Sequence, residues 1–549
     1  MVKKRTLPVD NTGKRDSIRR ESASSKEGLG GAAFILLLAV LIVSPWLLGG
    51  RHPFLLQFIC AGVIAAVSCW LLSLLSSRQS RLFIPFAALP LLAAVLFGLV
   101  QLTPLNSYWV SKVSPVASRL WSVSEIPVTW NSADEQPLEQ STKQTLSLYP
   151  GSTKNDVSLL LLAVVVFFMA SHFFASERSQ TILWWALTIN GAALALFGFV
   201  QQMTWNGKLY WFYKPPQVNM AFGPYVNHNH AAGYLLMCLA GGLGLLMAHR
   251  VEKQKTASVL QQTSSGSSFS IKIITLLTVG IVFGILCSLS RGGFVAMAGA
   301  GVVTLLVAAK YAGKGLKFPV QLWGVAVVAI IVLGATGLSS KVSNRLDSIL
   351  QQDLSSNTRI QHWKEASQTI PDFWLAGSGL GTYRYIHRLY LTEPTEEWFY
   401  HAENQYLEAF VEGGVIGLGL MLLLIVIILG TIIFSLKKVP GLKSRPYALA
   451  ALFALLSQAI HAFFDFGLYA PANMLLLAAI CGAATGQACQ FSEFARFPRM
   501  ITFSQVRTRW VVTGVVSLLL AQCFFPMMES RAAAKLDVAY QELVSIVNN

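Results

Sequence analysis

Charged residues are scarce in this sequence. Of its 549 residues, Asp, Glu, Lys and Arg make up only 12%, whereas hydrophobic residues make up 54%. A soluble globular chain carries about 25% charged residues. A cytosolic or secreted enzyme and a disordered chain are therefore both excluded as descriptions of the whole protein. The mean hydropathy of +0.54 instead predicts one large helical membrane body with its chemistry on the loops.

Several common catalytic and binding patterns are missing as well. The sequence contains no P-loop, no Asp-x-Asp, no Gly-x-Ser-x-Gly and no His-Glu-x-x-His. An ATP motor, a metal-bound nucleotide-sugar site and any cofactor are therefore not expected. The seven cysteines predict neither a disulfide framework nor a metal site, because all of them lie in or at the ends of apolar runs: Cys60, Cys69, Cys238, Cys287, Cys481, Cys489 and Cys523.

Apolar runs long enough to cross a bilayer recur along the chain. Because about 20 residues are needed for a helical span, we predict an all-α polytopic integral membrane protein with twelve or thirteen spans. The seventh and eighth runs are separated only by Ser288–Gly292 and could form one broken element. The predicted spans are 32–50, 54–75, 82–102, 157–175, 181–202, 231–249, 272–289, 293–309, 319–338, 412–436, 447–466, 471–488 and 510–527.

The net charge of +16 follows from the expected orientation in the membrane. The segments that alternate with the basic tail 1–30 hold most of the Lys and Arg, so the positive-inside rule places that tail in the cytoplasm. We predict that the tail is disordered and touches membrane lipids. No nucleic-acid partner is needed to explain the charge. Three long segments then lie outside, followed by a short amphipathic helix at 528–549: 103–156, 203–230 and 339–404.

Arginines stand out on these external segments. Arg291 occupies the short turn Ser288–Gly293, where a charge close to membrane depth is costly unless it is paired. Arg359, Arg384 and Arg388 lie on the third external segment. Guanidinium groups bind phosphate oxygens through two parallel hydrogen bonds, so converging arginines would suit a pyrophosphate headgroup. The alternative for any one loop arginine is a contact with solvent or lipid headgroups.

His401 begins a polar stretch immediately before a glycine-rich span. Histidine has the unperturbed pKa best suited to general-base work near neutrality. A glycan on pyrophosphate already has a good leaving group, so its transfer would need arginines for charge neutralisation and a base for the acceptor hydroxyl, with no metal. We expect His401 to be that base and Glu403 to support it. The alternatives are that Glu403 is the base, or that His401 only caps the next helix.

Six stretches in this sequence resemble, in order, motifs of the O-antigen ligase/polymerase family of bacterial envelope glycan enzymes. The resemblance covers about residues 145–475. Glu403 stands where many relatives have a second histidine, and a thirteenth span with an external tail exceeds their usual twelve-span body. The matching stretches are Ser147–Thr153, Gly223–Gly233, Leu289–Gly293, Arg359 and Trp363 with Gly377–Tyr383, His401–Leu407, and His461 with Asp465–Phe466 and Pro471–Asn473.

The resemblance implies a GT-C-like helical fold in the bacterial inner membrane with a periplasmic active site. It implies transfer of an undecaprenyl-pyrophosphate-linked glycan to an acceptor hydroxyl on a glycan or a lipid A-core-like molecule, as in lipopolysaccharide or exopolysaccharide synthesis. The family's functional groups would fall on Arg291, Arg359, Arg384 and His401. Further motif residues, for substrate or structure, would be Asn227, Asn229, His230, Asn404 and Asp465.

Two sets of alternatives stay open at this stage. The family includes lipid A–core ligases, repeat-unit polymerases and protein O-glycosyltransferases, and the sequence does not choose among them, nor does it name the sugar or the oligomeric state. The alternative from another class is a non-catalytic glycolipid flippase or transporter of the same pathway. A flippase would line a path with charge across the membrane, whereas the charges here cluster at the predicted outer face.

Overall fold

The computed structural model describes residues 12–75, 80–124, 143–214, 221–259, 266–311, 358–392, 399–491 and 501–503. The predicted spans 319–338 and 510–527 and the predicted helix 528–549 lie outside the described residues. Helices dominate the rest: α1 Thr12–Val43, α2 Pro53–Leu75, α3 Ala88–Leu102, α4 Ser107–Val113, α5 Pro115–Ser124, α6 Pro150–Phe173, α7 Glu177–Met203, α8 His228–Val259, α9 Gly266–Cys287, α10 Arg291–Tyr311, α11 Thr358–Ser367, α12 Ile370–Phe373, α13 Tyr383–Ile386, α14 Gln405–Lys438, α15 Ser444–His461 and α16 Pro471–Phe491.

Nine of the described helices are long and apolar enough to cross a membrane, namely α1, α2, α6, α7, α8, α9, α10, α14 and α16. An apolar run in lipid must satisfy its own backbone hydrogen bonds, and a helix does so within one segment. Strand is confined, in the described ranges, to two short antiparallel pairs, Ser80–Leu82 (β1) with Ile501–Phe503 (β4) and Leu105–Asn106 (β2) with Lys143–Gln144 (β3). The all-α, multi-pass membrane class is confirmed.

Several helix bounds differ from the prediction. The helix α1 begins at Thr12, so part of the tail expected to be disordered is helical; its Arg, Lys and Glu residues are good helix formers, and proline is absent from 9 to 44. In the third predicted span only Ala88–Leu102 is helical, because β1 and Pro85 come before it. The helices α9 and α10 are distinct, with residues 288–290 between them.

The core of the membrane body lies around α8 and α15. The hydrophobic window of α8 is entirely buried, and it packs against α7, α9 and α15. Most of α15 is buried too, although at 18 residues with Arg445 it is less apolar than the spans around it. The last turns of α15 and the first of α8 meet at one end of the bundle, where the polar motif residues lie.

Outside the helix bundle, the described parts of the first and third predicted external segments share a small core. Val110, Leu146, Phe373 and Ile386 are buried together there. The core fixes α13 beside the start of α6, where Ser152 Oγ donates to the Gly381 carbonyl over 2.7 Å. The described parts of these two predicted external segments therefore form one packed unit on the bundle.

A close approach of two backbones ties this unit to α14. Gly414 interrupts α14 with φ 60° and ψ −160°. A Cβ atom there would lie 2.4 Å from the Leu375 carbonyl carbon, and one at Gly377 would lie 2.1 Å from the Glu412 carbonyl. Only glycine fits at such distances with positive φ. The glycine-rich loop 377–381 is thereby fixed against the start of α14.

Candidate active site

Two motifs meet where α8 and α10 begin. The His228 Nδ1 atom lies 2.7 Å from the Ser288 carbonyl oxygen, and Ser290 Oγ donates to Asn229 Oδ1 over 2.7 Å. Asn227 Oδ1 in turn accepts from the Asn229 amide. These bonds fix the short turn before α10. The half-buried Arg291 is the first residue of that helix. The structure thus brings the predicted asparagines to the predicted arginine turn.

A buried carboxylate joins α8 to the end of α15. Asp465 is 1% exposed, and its two oxygens lie 3.6 Å from His230 Nε2 and 3.5 Å from His461 Nδ1. Asn473 Nδ2 donates to the His230 carbonyl over 2.9 Å. A Cβ at Gly292 would meet the His461 ring at 3.4 Å, so the arginine turn packs on the same group. The hydrogen bond from Asn473 to the His230 carbonyl therefore joins the start of α16 to the start of α8, with Asp465 packed between His230 and His461.

His401 is paired with a carboxylate, which is Glu408 and not the expected Glu403. The His401 Nδ1 atom lies 2.7 Å from Glu408 Oε1, and the Ala402 amide donates to Glu408 Oε2 over 3.0 Å. Asn404 caps α14 by accepting from the amides of Tyr406 and Leu407. This cap places Glu408 in the first turn of the helix, facing back to the segment that carries His401.

The His401 ring is held in one orientation and kept neutral. It stacks on Phe466 with ring centroids 4.1 Å apart and an interplanar angle of 21°. Burial, and then the positive charges of Arg51 and Arg384, hold the pKa of His401 well below its ordinary value. When Nδ1 donates to an ionised Glu408, Nε2 is the nitrogen that can accept a proton. A neutral, oriented imidazole is what general-base catalysis requires.

Glu403 has a different partner, since its carboxylate pairs with the Arg359 guanidinium at a site where both side chains are about one-third exposed. Glu403 also has a positive φ of 52°. Trp363, on the same helix as Arg359, donates from Nε1 to the Ala402 carbonyl over 2.8 Å. The helix α11 therefore clamps the His401 segment from outside.

Arg384 is the predicted arginine whose charge acts on His401. Its guanidinium lies over the rings of Tyr385 and Tyr400, at 5.5 and 5.7 Å from their centroids, and reaches Ser152 Oγ at 3.4 Å. The Tyr383 amide, at the start of α13, donates to Glu412 over 3.0 Å. This bond fixes the short helix that carries Arg384.

A further arginine, Arg51, belongs to the site although the sequence reasoning passed over it. Arg51 follows the 3-10 turn Leu48–Gly50, which packs against Pro471. Its guanidinium lies 5.8 Å from the Phe466 centroid. Burial, and then the nearby charge of Arg384, lower the pKa of Arg51, while Glu408 and Asp465 oppose that change.

The Arg51 side chain is exposed at this position. The sequence does set Arg51 apart, because it is the one Lys, Arg, Asp or Glu in the connection between the first two apolar runs. Arg51 and Arg384 thus lie close enough to His401 for their charges to lower its pKa.

This arrangement of arginines, histidine and carboxylate falls largely within a known sequence family. Residues 276–422 match the sequence profile described as O-antigen ligase. This segment belongs to the O-antigen ligase family. The O-antigen ligase segment contains Arg291, Arg359, Arg384, His401 and Glu408, whereas Arg51, His230 and Asp465 come from outside it. No curated protein matches the chain.

The predicted site residues thus divide into three groups. The O-antigen ligase segment and the flanking helices bring Arg384 and His401 together, with Arg51 added. Arg359 lies at the rim on Glu403, within electrostatic range of Asp465. Arg291 begins α10 beside His461, and the asparagines support the turn. The match over residues 276–422 supports a membrane glycan transferase of the ligase or polymerase type, with glycans and lipid-linked molecules as substrates in general.

Proposed function

We propose that the chain transfers a glycan from a polyprenyl-pyrophosphate donor, of the undecaprenyl kind, to an acceptor hydroxyl outside the bacterial inner membrane. The observation that carries the proposal is the pair of His401 and Glu408 set beside Arg51 and Arg384. The pair can activate a hydroxyl, and the arginines can neutralise a pyrophosphate. The reacting atoms need no metal ion.

The reaction can be written with these groups. The acceptor oxygen attacks the anomeric carbon of the donor sugar while His401 Nε2 takes the hydroxyl proton. The bond from that carbon to the pyrophosphate oxygen breaks, and the electron pair leaves with the lipid pyrophosphate. Glu408 stabilises the imidazolium, as a carboxylate does for a catalytic histidine. Arg51 and Arg384 stabilise the charge that develops on the leaving group, which is typically a large term in catalysis.

The proposal favours an enzyme over a glycolipid flippase for a structural reason. A transporter has no need to orient one imidazole through a carboxylate at 2.7 Å. Ligase, repeat-unit polymerase and protein O-glycosyltransferase share this chemistry and differ in the acceptor. Offering purified protein a lipid A-core acceptor, a second lipid-linked glycan or a peptide would tell the three apart.

The test is glycan transfer by the full chain purified in detergent, with a synthetic lipid-pyrophosphate glycan as donor. His401→Ala should lose about 10²–10⁴-fold in turnover, the usual contribution of a general base. It should still bind the donor, because the arginines remain. His249→Gln, at the opposite end of α8, is the matched control and should retain full turnover. Undiminished turnover in His401→Ala would contradict the proposed role.

A further inference from the structure

A second group of buried titratable side chains lies behind the site, on the external unit. His362 and Glu365 are one helical turn apart on α11, and His387 begins the 3-10 helix that follows α13. The three are 4%, 5% and 1% exposed. One nitrogen of each ring and one carboxylate oxygen all lie within 4.8 Å of one another. None of these groups has a part in the proposed transfer.

Two ring nitrogens in this group are buried without a hydrogen-bond partner among the described residues. They are His362 Nδ1 and His387 Nε2. Glu365 Oε2 lies 3.6 Å from His387 Nε2, which is too long for a hydrogen bond. A buried polar atom left unsatisfied costs about 1–3 kcal/mol. Two such atoms beside one carboxylate point to an occupant that would satisfy all three at once.

The kinds of atom in the group identify that occupant as a metal cation. Two imidazole nitrogens and one carboxylate oxygen, all buried and within 4.8 Å of one another, offer three ligand atoms. Imidazole nitrogens and carboxylate oxygens bind divalent metal ions in their deprotonated forms.

We infer that His362, Glu365 and His387 form a structural site for a divalent metal ion with the preferences of zinc. Two histidines and one glutamate are a known zinc ligand set. Ligands in a tetrahedral zinc site are about 3.3 Å apart, as follows from metal–ligand distances near 2.0–2.1 Å. The three groups would each move inward by less than about 1 Å. A water molecule would complete the tetrahedron.

The second carboxylate oxygen and the surrounding bonds already hold the ligands in place. Glu365 Oε1 accepts from Thr392 Oγ1 over 2.6 Å and from Gln361 Nε2 over 3.3 Å, which leaves Oε2 for the ion. The other nitrogen of His362 lies 3.0 Å from the Tyr383 hydroxyl and 3.2 Å from the His401 carbonyl oxygen. Such outer partners orient metal-binding histidines. They also connect the metal to the segment that carries His401.

The role of the metal would be to fasten α11 to the 3-10 helix His387–Tyr390. His387 is in a separate element from the other two ligands, so binding closes a loop. The ion would not touch the donor or the acceptor. It would support the His401 backbone through His362. This proposal does not depend on the proposed glycan transfer, because metal binding can be measured without any transfer activity.

The experiment uses Zn²⁺ itself with the full chain in detergent, after treatment with a chelator. Isothermal titration should show one bound Zn²⁺ per chain that His387→Gln and Glu365→Gln each weaken by at least about 100-fold. The melting temperature should rise with Zn²⁺ in the unaltered chain and in the control His249→Gln, but not in the two variants. Circular dichroism checks that the variants are folded.

Two outcomes would overturn the inference. One is an unaltered chain that binds no Zn²⁺ at micromolar concentration. The other is binding that His387→Gln and Glu365→Gln leave unchanged, which would assign the ion to other residues. Co²⁺ provides an independent readout, since its visible absorption reports a tetrahedral nitrogen and oxygen site. That absorption should be lost in His387→Gln and kept in His249→Gln.

Discussion

Replacing Glu408 by glutamine tests the core of the candidate site with the smallest change of shape. Glu408 Oε1 faces His401 Nδ1 at 2.7 Å, and Oε2 accepts from the Ala402 amide at 3.0 Å. A glutamine can present an oxygen to only one of them. Its NH₂ group then either faces the Ala402 N–H or turns to His401 and reverses the tautomer. The Nε2 atom loses its role as acceptor in the second case.

The expected loss can be set from the bonds involved. A hydrogen bond to a charged group contributes about 1.5–3 kcal/mol, which corresponds to roughly 10- to 150-fold in turnover. Reversal of the tautomer would bring the loss towards about 10⁴-fold, the effect seen when the carboxylate behind a catalytic histidine is made an amide. We therefore expect Glu408→Gln to lose at least about tenfold in kcat, with the donor KM little changed.

The matched control is Glu403→Gln, because it makes the same chemical change five residues away. Glu403 pairs with Arg359 where both side chains are about one-third exposed. An exposed ion pair is worth about 0–1 kcal/mol, or less than about sixfold. Steady-state transfer assays on both variants decide the matter. If Glu403→Gln is inactive and Glu408→Gln is near the unaltered enzyme, the carboxylate of Glu403 is the base and our reasoning is wrong.

Four other expectations follow from the same geometry. Arg51→Ala should weaken donor binding by about tenfold or more in a titration, with Arg51→Lys recovering little because an ammonium lacks the fork of a guanidinium; equal binding would remove Arg51 from the site. Arg291→Ala should abolish transfer while the protein stays in the membrane, and full activity would end that assignment. Because burial and two arginines lower the pKa of His401, kcat/KM should stay level as pH falls through 6.5 and decline only at lower pH; a midpoint at 6.5 or above would contradict this. Gly414→Ala should lower the melting temperature clearly more than Gly413→Ala, since a Cβ at Gly414 meets backbone at 2.4 Å and one at Gly413 meets only Phe97 at 3.8 Å.

The helical membrane class could be predicted from the sequence because lipid imposes one requirement on every span. Each apolar run must satisfy its own backbone, so length and composition suffice. Length and composition do not determine where a helix begins and ends. Residues 82–87 read as part of an apolar run, but β1 pairs with a strand more than 400 residues later, and α3 begins only at Ala88. A distant partner of this kind leaves no local signal.

In the candidate site too, features of the nearby sequence could be predicted, whereas contacts between distant parts of the chain could not. His401, Arg291 and Arg384 were chosen as site residues because their types and surroundings are unusual for a membrane chain. Glu403 was chosen as the supporting carboxylate because it is nearer to His401 in sequence. The helix geometry set by the Asn404 cap instead turns Glu408 toward the ring. Arg51 was missed because the short first connection gave no reason to expect contact with a loop more than 300 residues away.

The placement of Arg51 and Arg384 beside His401 links donor binding to base strength. Burial, and then their positive charges, keep the imidazole neutral but also make it a weak base, since a low pKa reduces the driving force for taking a proton. A pyrophosphate bound to these arginines would bring opposing negative charge close to the His401 ring. An opposite charge nearby favours the protonated form of a histidine and raises its pKa. We therefore expect His401 to become an effective base only once the donor is bound, when a proton taken from the acceptor can be used for transfer.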